Sequence, residues 1–479
     1  MCHRCCSARR NCRIHCPHYC VNTKQPFIGV VTNMSGVIKK ILVMRSDGLG
    51  DYLVITPCLR AIKNQYPDAQ VTLLASVANQ PLAQHNPDID EVWLHPMQEH
   101  GVGLFAFVRA LIVRSFDAVL IYHQSDANVW AAYFAGIPMR IGDAQRFPMR
   151  LLLTESVRIV NEDQSKHVIE SNYLYLRPLG IQSDIPPMQL PVPAAANDLL
   201  PQSGIKWVGM LLRQNGANRF VSNDQFLAIV RQVMSHPGYG LVLLGPHEAK
   251  TNKRALLEDI LGTVDTARFV NLIDKTDTLA LAQVIHKLDL YIGCDSGPMH
   301  MAAAAGVPVL AVMLAKSGRP MRWGPWQVPN RVMRFSGECP LQCFRASCSA
   351  EYCYEGFNLD QVQHYMEELI QQPPTESCEA QKQHWFAASQ NVLCISKAGA
   401  SASMQKLMAN IKEAGVPVTH WNEQDFSLLQ FSEIFKMVQR TNASVLVLDR
   451  SVSRIKWKML SGLLGSRLFV RPMLMQVHK

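Results

Sequence analysis

The chain has 479 residues, with 47 lysines and arginines against 38 aspartates and glutamates, a formal charge of +9. At about 150 residues per domain this length predicts about three domains, and 48% apolar with 18% charged residues excludes wholesale disorder. The charge is uneven: residues 1–40 carry +7, residues 380–479 carry +8 and the middle carries −6, so a uniformly basic nucleic-acid binder is excluded.

Six of the fourteen cysteines fall in the first twenty residues (Cys2, Cys5, Cys6, Cys12, Cys16 and Cys20), interleaved with His3, His15 and His18. In a small secreted protein this density would read as a disulfide framework, but the rest of the chain has the pattern of an intracellular enzyme. The spacings fit no zinc pattern well. The sequence MSGVIKKILVMR from Met34 is a natural opening for a first strand. Residues 1–37 are therefore expected to be a basic, Cys-rich tail, unstructured or outside the native start. It has no apolar h-region, so no secretory signal is expected. No apolar run reaches the roughly 20 residues of a membrane helix. The longest, 299–315, is broken by Gly306 and Pro308 and reads as a buried helix plus a strand, so a cytoplasmic protein is expected.

From Ile38 strands and helices alternate. The apolar runs 38–45, 71–76, 91–95 and 118–123 predict strands, and 56–67 and 104–115 predict helices. The turn SDGLGD (46–51) lies between the first strand and the first helix. Alternation of this kind argues for a parallel sheet covered on both faces. Pro186, Pro187, Pro191, Pro193 and Pro201 then mark an interdomain linker. The pattern restarts with strands over 206–212, 240–245, 268–272 and 289–294 and helices over 223–235 and 278–288. Pro373 and Pro374 open another break, after which 391–396, 416–421, 444–449 and 467–470 read as strands of a small α/β unit. The expected domains are 38–190, 204–372 and 385–479, the last without a catalytic motif.

Two segments carry chemistry. In residues 45–74 a strand enters a glycine-bearing turn and then a helix. Gly48 and Gly50 let the backbone turn tightly and approach a ligand. The spacing fits neither the dinucleotide fingerprint nor a P-loop. Asp51 stands at the mouth of the helix, either as a cap for its backbone amides or as a functional carboxylate. In residues 289–313 a buried strand ends in Asp295-Ser296-Gly297-Pro298 before a small-residue helix whose N-terminus suits a phosphate. Asp295 suits sugar hydroxyls, and His300 is either a plain packed histidine or a ligand group.

Together these segments resemble the ADP-heptose:lipopolysaccharide heptosyltransferases of glycosyltransferase family nine. Arg45 through Lys63 matches the family's Arg-x-Asp-x-x-Gly-Asp opening with its Thr-Pro-x-Leu-Arg-Ala continuation. Cys294 through Ala303 matches its Asn-Asp-Ser-Gly-Pro-x-His-x-Ala-Ala signature, with Cys in place of Asn. Shorter echoes are NPDIDEVW (86–93), GIPMRIGD (136–143), KHVIESNYLYLRPLGI (166–181) and RWGPW (322–326). The resemblance covers about residues 38–370. It implies the GT-B fold: two Rossmann-like parallel-sheet domains facing a cleft, here with a small C-terminal α/β unit.

The resemblance also implies inverting transfer from a nucleotide-diphosphate sugar, ADP-heptose being the expected donor, with no cofactor required for catalysis. Asp51 aligns with the general base, on a loop with Arg45, Asp47, Gly48 and Gly50. Asp295, Ser296, Gly297, Pro298 and His300 would bind the donor. Where the family has a glycine-rich turn followed by Lys-Arg-Trp-Pro, this chain has LLRQNGANRFVSNDQF (211–226), so Arg219, with Arg213, would supply the phosphate cation and Val221 replaces Pro. The expected acceptor is a lipopolysaccharide core or similar surface glycan or glycolipid. Cys339, Cys343, Cys348 and Cys353 form a candidate structural zinc or iron site, set against a plain loop of reduced thiols. A protein O-heptosyltransferase with a Cys-bound metal is one alternative, and an inactive GT-B scaffold is another. The C-terminal +8 suggests peripheral contact with an anionic inner-membrane surface.

Overall fold

In a computed structural model the chain divides into residues 1–37 and 38–479. The residues described are 38–144, 147–157, 166–193, 199–201, 204–211, 221–245, 253–314, 320–334 and 357–371, with four strands beyond them. Arg213, Arg219, the residues 1–37 and all four of Cys339, Cys343, Cys348 and Cys353 lie outside that set.

The first domain holds six strands: β1 (Lys40–Met44), β2 (Gln70–Ala75), β3 (Glu91–Leu94), β4 (Ala118–Ile121), β5 (Met139–Asp143) and β6 (Glu155–Val157). All pair in parallel in the order β3-β2-β1-β4-β5-β6. β1 and β4 are buried along nearly their whole length. This explains why they read as continuous apolar runs rather than alternating ones, since helices cover both faces. Between the strands lie α1 (Leu49–Leu53), α2 (Thr56–Gln65), α3 (Gln80–Ala83), α4 (Pro96–Glu99), α5 (Leu104–Arg114) and α6 (Asp126–Phe134), and α7 (Val168–Tyr173) follows the sheet.

The second domain repeats the plan. Its strands are β7 (Lys206–Leu211), β8 (Tyr239–Leu244), β9 (Phe269–Asn271), β10 (Leu290–Gly293), β11 (Val309–Val312) and β12 (Asn330–Met333), ordered β12-β11-β10-β7-β8-β9. Counted from its own first strand this is the order of the first sheet. Both are the doubly wound Rossmann arrangement, whose connections reverse between β1 and β4 and between β7 and β10. The helices are α8 (Asn223–Ser235), α9 (Lys253–Leu261), α10 (Thr278–His286), α11 (Gly297–Ala304), α12 (Pro320–Trp323) and α13 (Leu359–Gln371). Ser222 starts α8 with a reciprocal capping box to Gln225. α13 buries Val362, Met366, Leu369 and Ile370 along one stripe.

One apolar cluster runs from the first sheet through α2, α3 and α7 to α10 and α11, so the two domains share a core. His167 crosses the junction: its Nε2 lies 3.0 Å from the Gly324 carbonyl, and its ring stacks on Trp326 at 4.6 Å. The proline-rich connection is also fastened. Met188 and Leu190 are buried, and the Gln189 amide donates to Thr56 Oγ1 at 3.0 Å.

Beyond residue 372 four parallel strands, β13 (Val392–Ser396), β14 (Val418–Asn422), β15 (Val445–Leu448) and β16 (Met473–Gln476), form a sheet ordered β14-β13-β15-β16. The fourth strand expected at 467–470 falls on residues outside the described set; the fourth strand described is Met473–Gln476.

Candidate functional site

The sequence-predicted residues converge where the two switch points meet. β1 ends at Met44, and the chain turns through Arg45, Ser46 and Asp47 into α1. The segment expected to be a turn up to residue 51 is a helix from Leu49, with Gly48 as its N-cap and no side-chain cap. Asp51 lies in its first turn, and its carboxylate does not cap the helix. Arg45 holds it instead: Nη2 donates to Asp51 Oδ1 at 2.5 Å and Nε to the Asp51 carbonyl at 3.0 Å. Nη1 reaches the Tyr122 carbonyl at the end of β4 at 3.2 Å. Arg45 is 6% exposed, whereas the Asp51 side chain is 34% exposed. Oδ1 is thus held by a buried cation, and among the described residues Oδ2 accepts no hydrogen bond.

Asp47 sits behind this pair. Its Oδ1 is 3.0 Å from Arg45 Nε, but that N–H is directed at the Asp51 carbonyl, and the buried Oδ1 has no hydrogen-bond donor among the described residues. Burial raises its pKa above the ordinary carboxylate value; Arg45 opposes that shift and Asp51 adds to it. The loop is pinned from below. Ser76 Oγ donates to the Asp47 carbonyl at 2.9 Å, and Asn79 Nδ2 donates to the Arg45 carbonyl at 2.9 Å.

From the second domain β10 leads into Cys294, Asp295 and Ser296 and then α11. Ser296 is the N-cap residue in extended backbone, yet its hydroxyl turns back to the Cys294 carbonyl at 3.1 Å instead of capping α11. The start of α11 is thus without a side-chain cap, and Pro298 in its first turn has no N–H to satisfy. His300, one turn in, is 3% exposed; its Nε2 is 3.5 Å from Asp295 Oδ1, and its Nδ1 has no partner among the described residues. Trp323 meets the His300 ring edge-on at 6.4 Å.

Glycines bring the halves together. A Cβ on Gly50 would stand 2.9 Å from His300 Cδ2 and 3.6 Å from the Gly297 Cα, so α1 and α11 abut nearly backbone to backbone. Asp51 of one domain and the start of α11 of the other are neighbours for this reason. Asp51, Arg45, Asp47, Gly48, Gly50, Asp295, Ser296, Gly297, Pro298 and His300 therefore form one constellation.

Further residues join it that sequence reasoning missed. Ser46 Oγ and His123 Nδ1 are 3.0 Å apart. Tyr122 and Tyr175 pack at 4.6 Å, and burial holds the Tyr175 hydroxyl above its ordinary pKa, with Asp143 adding to the shift and Arg45 and Arg322 opposing it. Tyr122 and His123 close the fourth predicted strand. Their position at the switch point was the available signal. Among the described residues no group of three or more His, Cys, Asp or Glu could hold a metal ion.

The model of glycosyltransferase family 9 (heptosyltransferase) matches residues 104–353. Lipopolysaccharide heptosyltransferase 3 of Escherichia coli (strain K12) is 26% identical over 296 residues, 58% of this chain and 82% of the relative. Lipopolysaccharide heptosyltransferase 2 of the same strain is 26% identical over 295 residues, 57% of this chain and 82% of that one. Among solved structures, a family 9 glycosyl transferase from Veillonella parvula DSM 2008 superposes with a TM-score of 0.57 at 20% identity, covering 69% of this chain and 97% of the other. The ADP-heptose lps heptosyltransferase II of E. coli gives 0.53 at 20% identity, covering 70% and 99%.

Proposed function

The chain belongs to glycosyltransferase family 9, and on that premise we propose that it moves a heptose from ADP-heptose, with inversion, to a hydroxyl of a lipopolysaccharide core or similar lipid-linked glycan. Family membership makes the chain a transferase. The observation that carries the proposal is Asp51: a carboxylate with one oxygen held by a buried arginine and the other without a described partner, beside the uncapped start of α11.

In this mechanism Asp51 Oδ2 takes the proton of the acceptor hydroxyl as that oxygen attacks the anomeric carbon. The bond from that carbon to the diphosphate breaks, and its electron pair leaves with the nucleoside diphosphate. A base need only be within hydrogen-bond reach of the proton it removes. Arg45 fixes the carboxylate so that reorientation does not accompany the reaction. The amides and the positive end of α11 receive the charge that grows on the leaving diphosphate, and Asp295 accepts hydrogen bonds from donor-sugar hydroxyls. The stated relatives act on lipopolysaccharide, which supports a glycolipid acceptor.

A panel of nucleotide sugars tested by thermal shift examines the donor assignment. A ligand at 100 times its dissociation constant adds about 2.7 kcal/mol of stability, so ADP-heptose should raise the Tm by several degrees while UDP- and GDP-sugars should not. A shift by another nucleotide sugar alone would overturn the donor assignment while leaving glycosyl transfer intact.

A further inference from the structure

The exposed apolar side chains are concentrated on one layer of the first domain. Among the described residues nine large hydrophobic side chains are exposed, and seven of them are Phe105, Ile112 and Val113 on α5, Tyr133 and Phe134 on α6, and Phe147 and Leu151 in the turn beside it. α5 is apolar on both sides. Phe107, Val108 and Leu111 face the core, while Phe105 is 83% and Val113 76% exposed. A surface helix ordinarily turns charge outward, and one that is apolar all round belongs in a core or against lipid. Such patches on a soluble surface mark interaction sites. Trp130 and Phe134 stack at 5.2 Å, with Tyr133 edge-on to Phe134 at 5.6 Å, which places ordered aromatic rings on this layer.

The charge of the layer is mostly positive. α5, α6 and residues 147–154, which build it, contain Arg109, Arg114 and Arg150, with Arg140 beside them, against one carboxylate, the exposed Asp126 at the start of α6. Arg114 is engaged with Glu91. Arg140 lies 5.5 Å from the Tyr133 ring centroid and Arg150 5.5 Å from that of Phe147, so cations lie among the apolar groups. The middle of the chain is acidic overall, which makes a face of this size with a single carboxylate a local specialisation.

We propose that the outer face of α5, α6 and the 147–152 turn seats the first domain on a bilayer containing anionic lipid. Aromatic and aliphatic groups enter the headgroup boundary and arginines meet lipid phosphates, the combination that interfacial binding requires. The face adjoins the end of β5. Leu153 packs against Gly142, whose Cβ position is 3.3 Å from Gln124 Oε1, and Gln124 Nε2 donates to the Asp143 carbonyl at 3.2 Å. The purpose of the surface rests on the proposed lipid-linked acceptor, since a domain seated this way meets a saccharide at the membrane plane.

Full-length protein is sedimented with vesicles of phosphatidylcholine alone or mixed with phosphatidylglycerol, at low and high salt. The wild type should partition onto the anionic vesicles. A variant with Phe105→Ser, Ile112→Ser, Val113→Ser and Phe147→Ser should lose at least about tenfold in partition at both salt concentrations. Arg109→Gln with Arg150→Gln should lose about fivefold per arginine, only at low salt. Since all these side chains are exposed, unchanged thermal unfolding verifies the fold of each variant. Partition unaffected by the apolar substitutions, as adsorption through the basic residues 380–479 alone would give, overturns the proposal. So does a wild type that binds no vesicles but self-associates in sedimentation velocity through these residues. A wild type that partitions through this face yet transfers no sugar to a soluble acceptor would sink the proposed reaction and leave the surface standing.

Discussion

Replacing Gly50 by alanine tests the junction that creates the site. The added Cβ would lie 2.9 Å from His300 Cδ2, inside any normal carbon–carbon contact, and His300 is 3% exposed with no room to retreat. The helices must part by about half an ångström or the imidazole must leave its rotamer, a class of overpacking that costs ~1–3 kcal/mol. Gly297→Ala is the control across the same junction. Its nearest atoms are at 3.6 Å, ordinary van der Waals contact, and its φ is not in the left-handed region. Alanine there should leave stability unchanged or raise it by about 0.4–1 kcal/mol through the unfolded chain. That Cβ would nevertheless stand at the start of α11, where the donor diphosphate is proposed to bind. Urea unfolding and steady-state transfer kinetics on both variants separate the effects. Gly50→Ala should lose stability and turnover, by roughly tenfold in rate for a displacement of about half an ångström where 1 Å costs about a hundredfold, while Gly297→Ala should keep its stability and raise the donor KM. Wild-type stability in Gly50→Ala, or unaltered donor KM in Gly297→Ala, would refute the packing argument or the donor placement respectively.

Two further outcomes follow from buried polar groups. Burial raises the pKa of Asp47, so the folded state holds its proton more tightly than the unfolded chain, whose value is near 3.8. The associated stability is fully present below that value and is lost as pH rises through the folded one. Asp47→Asn should therefore raise the Tm at pH 7, with the gain shrinking as pH falls toward 4; an Asn variant that is less stable at pH 7 would contradict this. His167, fully buried between Gly324 and Trp326, ties the domains together. His167→Ala should cost about 3 kcal/mol in urea unfolding, and a loss under 1 kcal/mol would show that the junction depends on the apolar contacts alone.

The parallel sheets were legible in the sequence because both faces are covered, and buried strands such as IKKILVMR and GLVLLG become unbroken apolar runs. The short edge strands β6, at Glu155–Val157, and β12, at Asn330–Met333, carry too little apolar pattern to be read. α1 was hidden for another reason. Two glycines in seven residues suggest a turn; Gly48 is the N-cap and Gly50 lies in the helix, where α11 packs against it. The motif pointed to Asp51 but left its role between cap and functional group. Arg45, six residues earlier, holds the carboxylate away from the helix amides, so Asp51 does not cap α1. Ser46–His123 and Tyr122–Tyr175 pair residues 77 and 53 positions apart, a proximity set by sheet order that no local pattern records.

The most direct test of the account is Asp51→Asn, assayed for donor binding by calorimetry and for transfer under single turnover. The amide oxygen can still accept the Arg45 hydrogen bond, so fold and donor affinity should be retained, while a group that cannot take a proton should slow transfer by about 10²–10⁴. Transfer at the wild-type rate in a folded, donor-binding Asp51→Asn protein would contradict the assignment of Asp51 as the base.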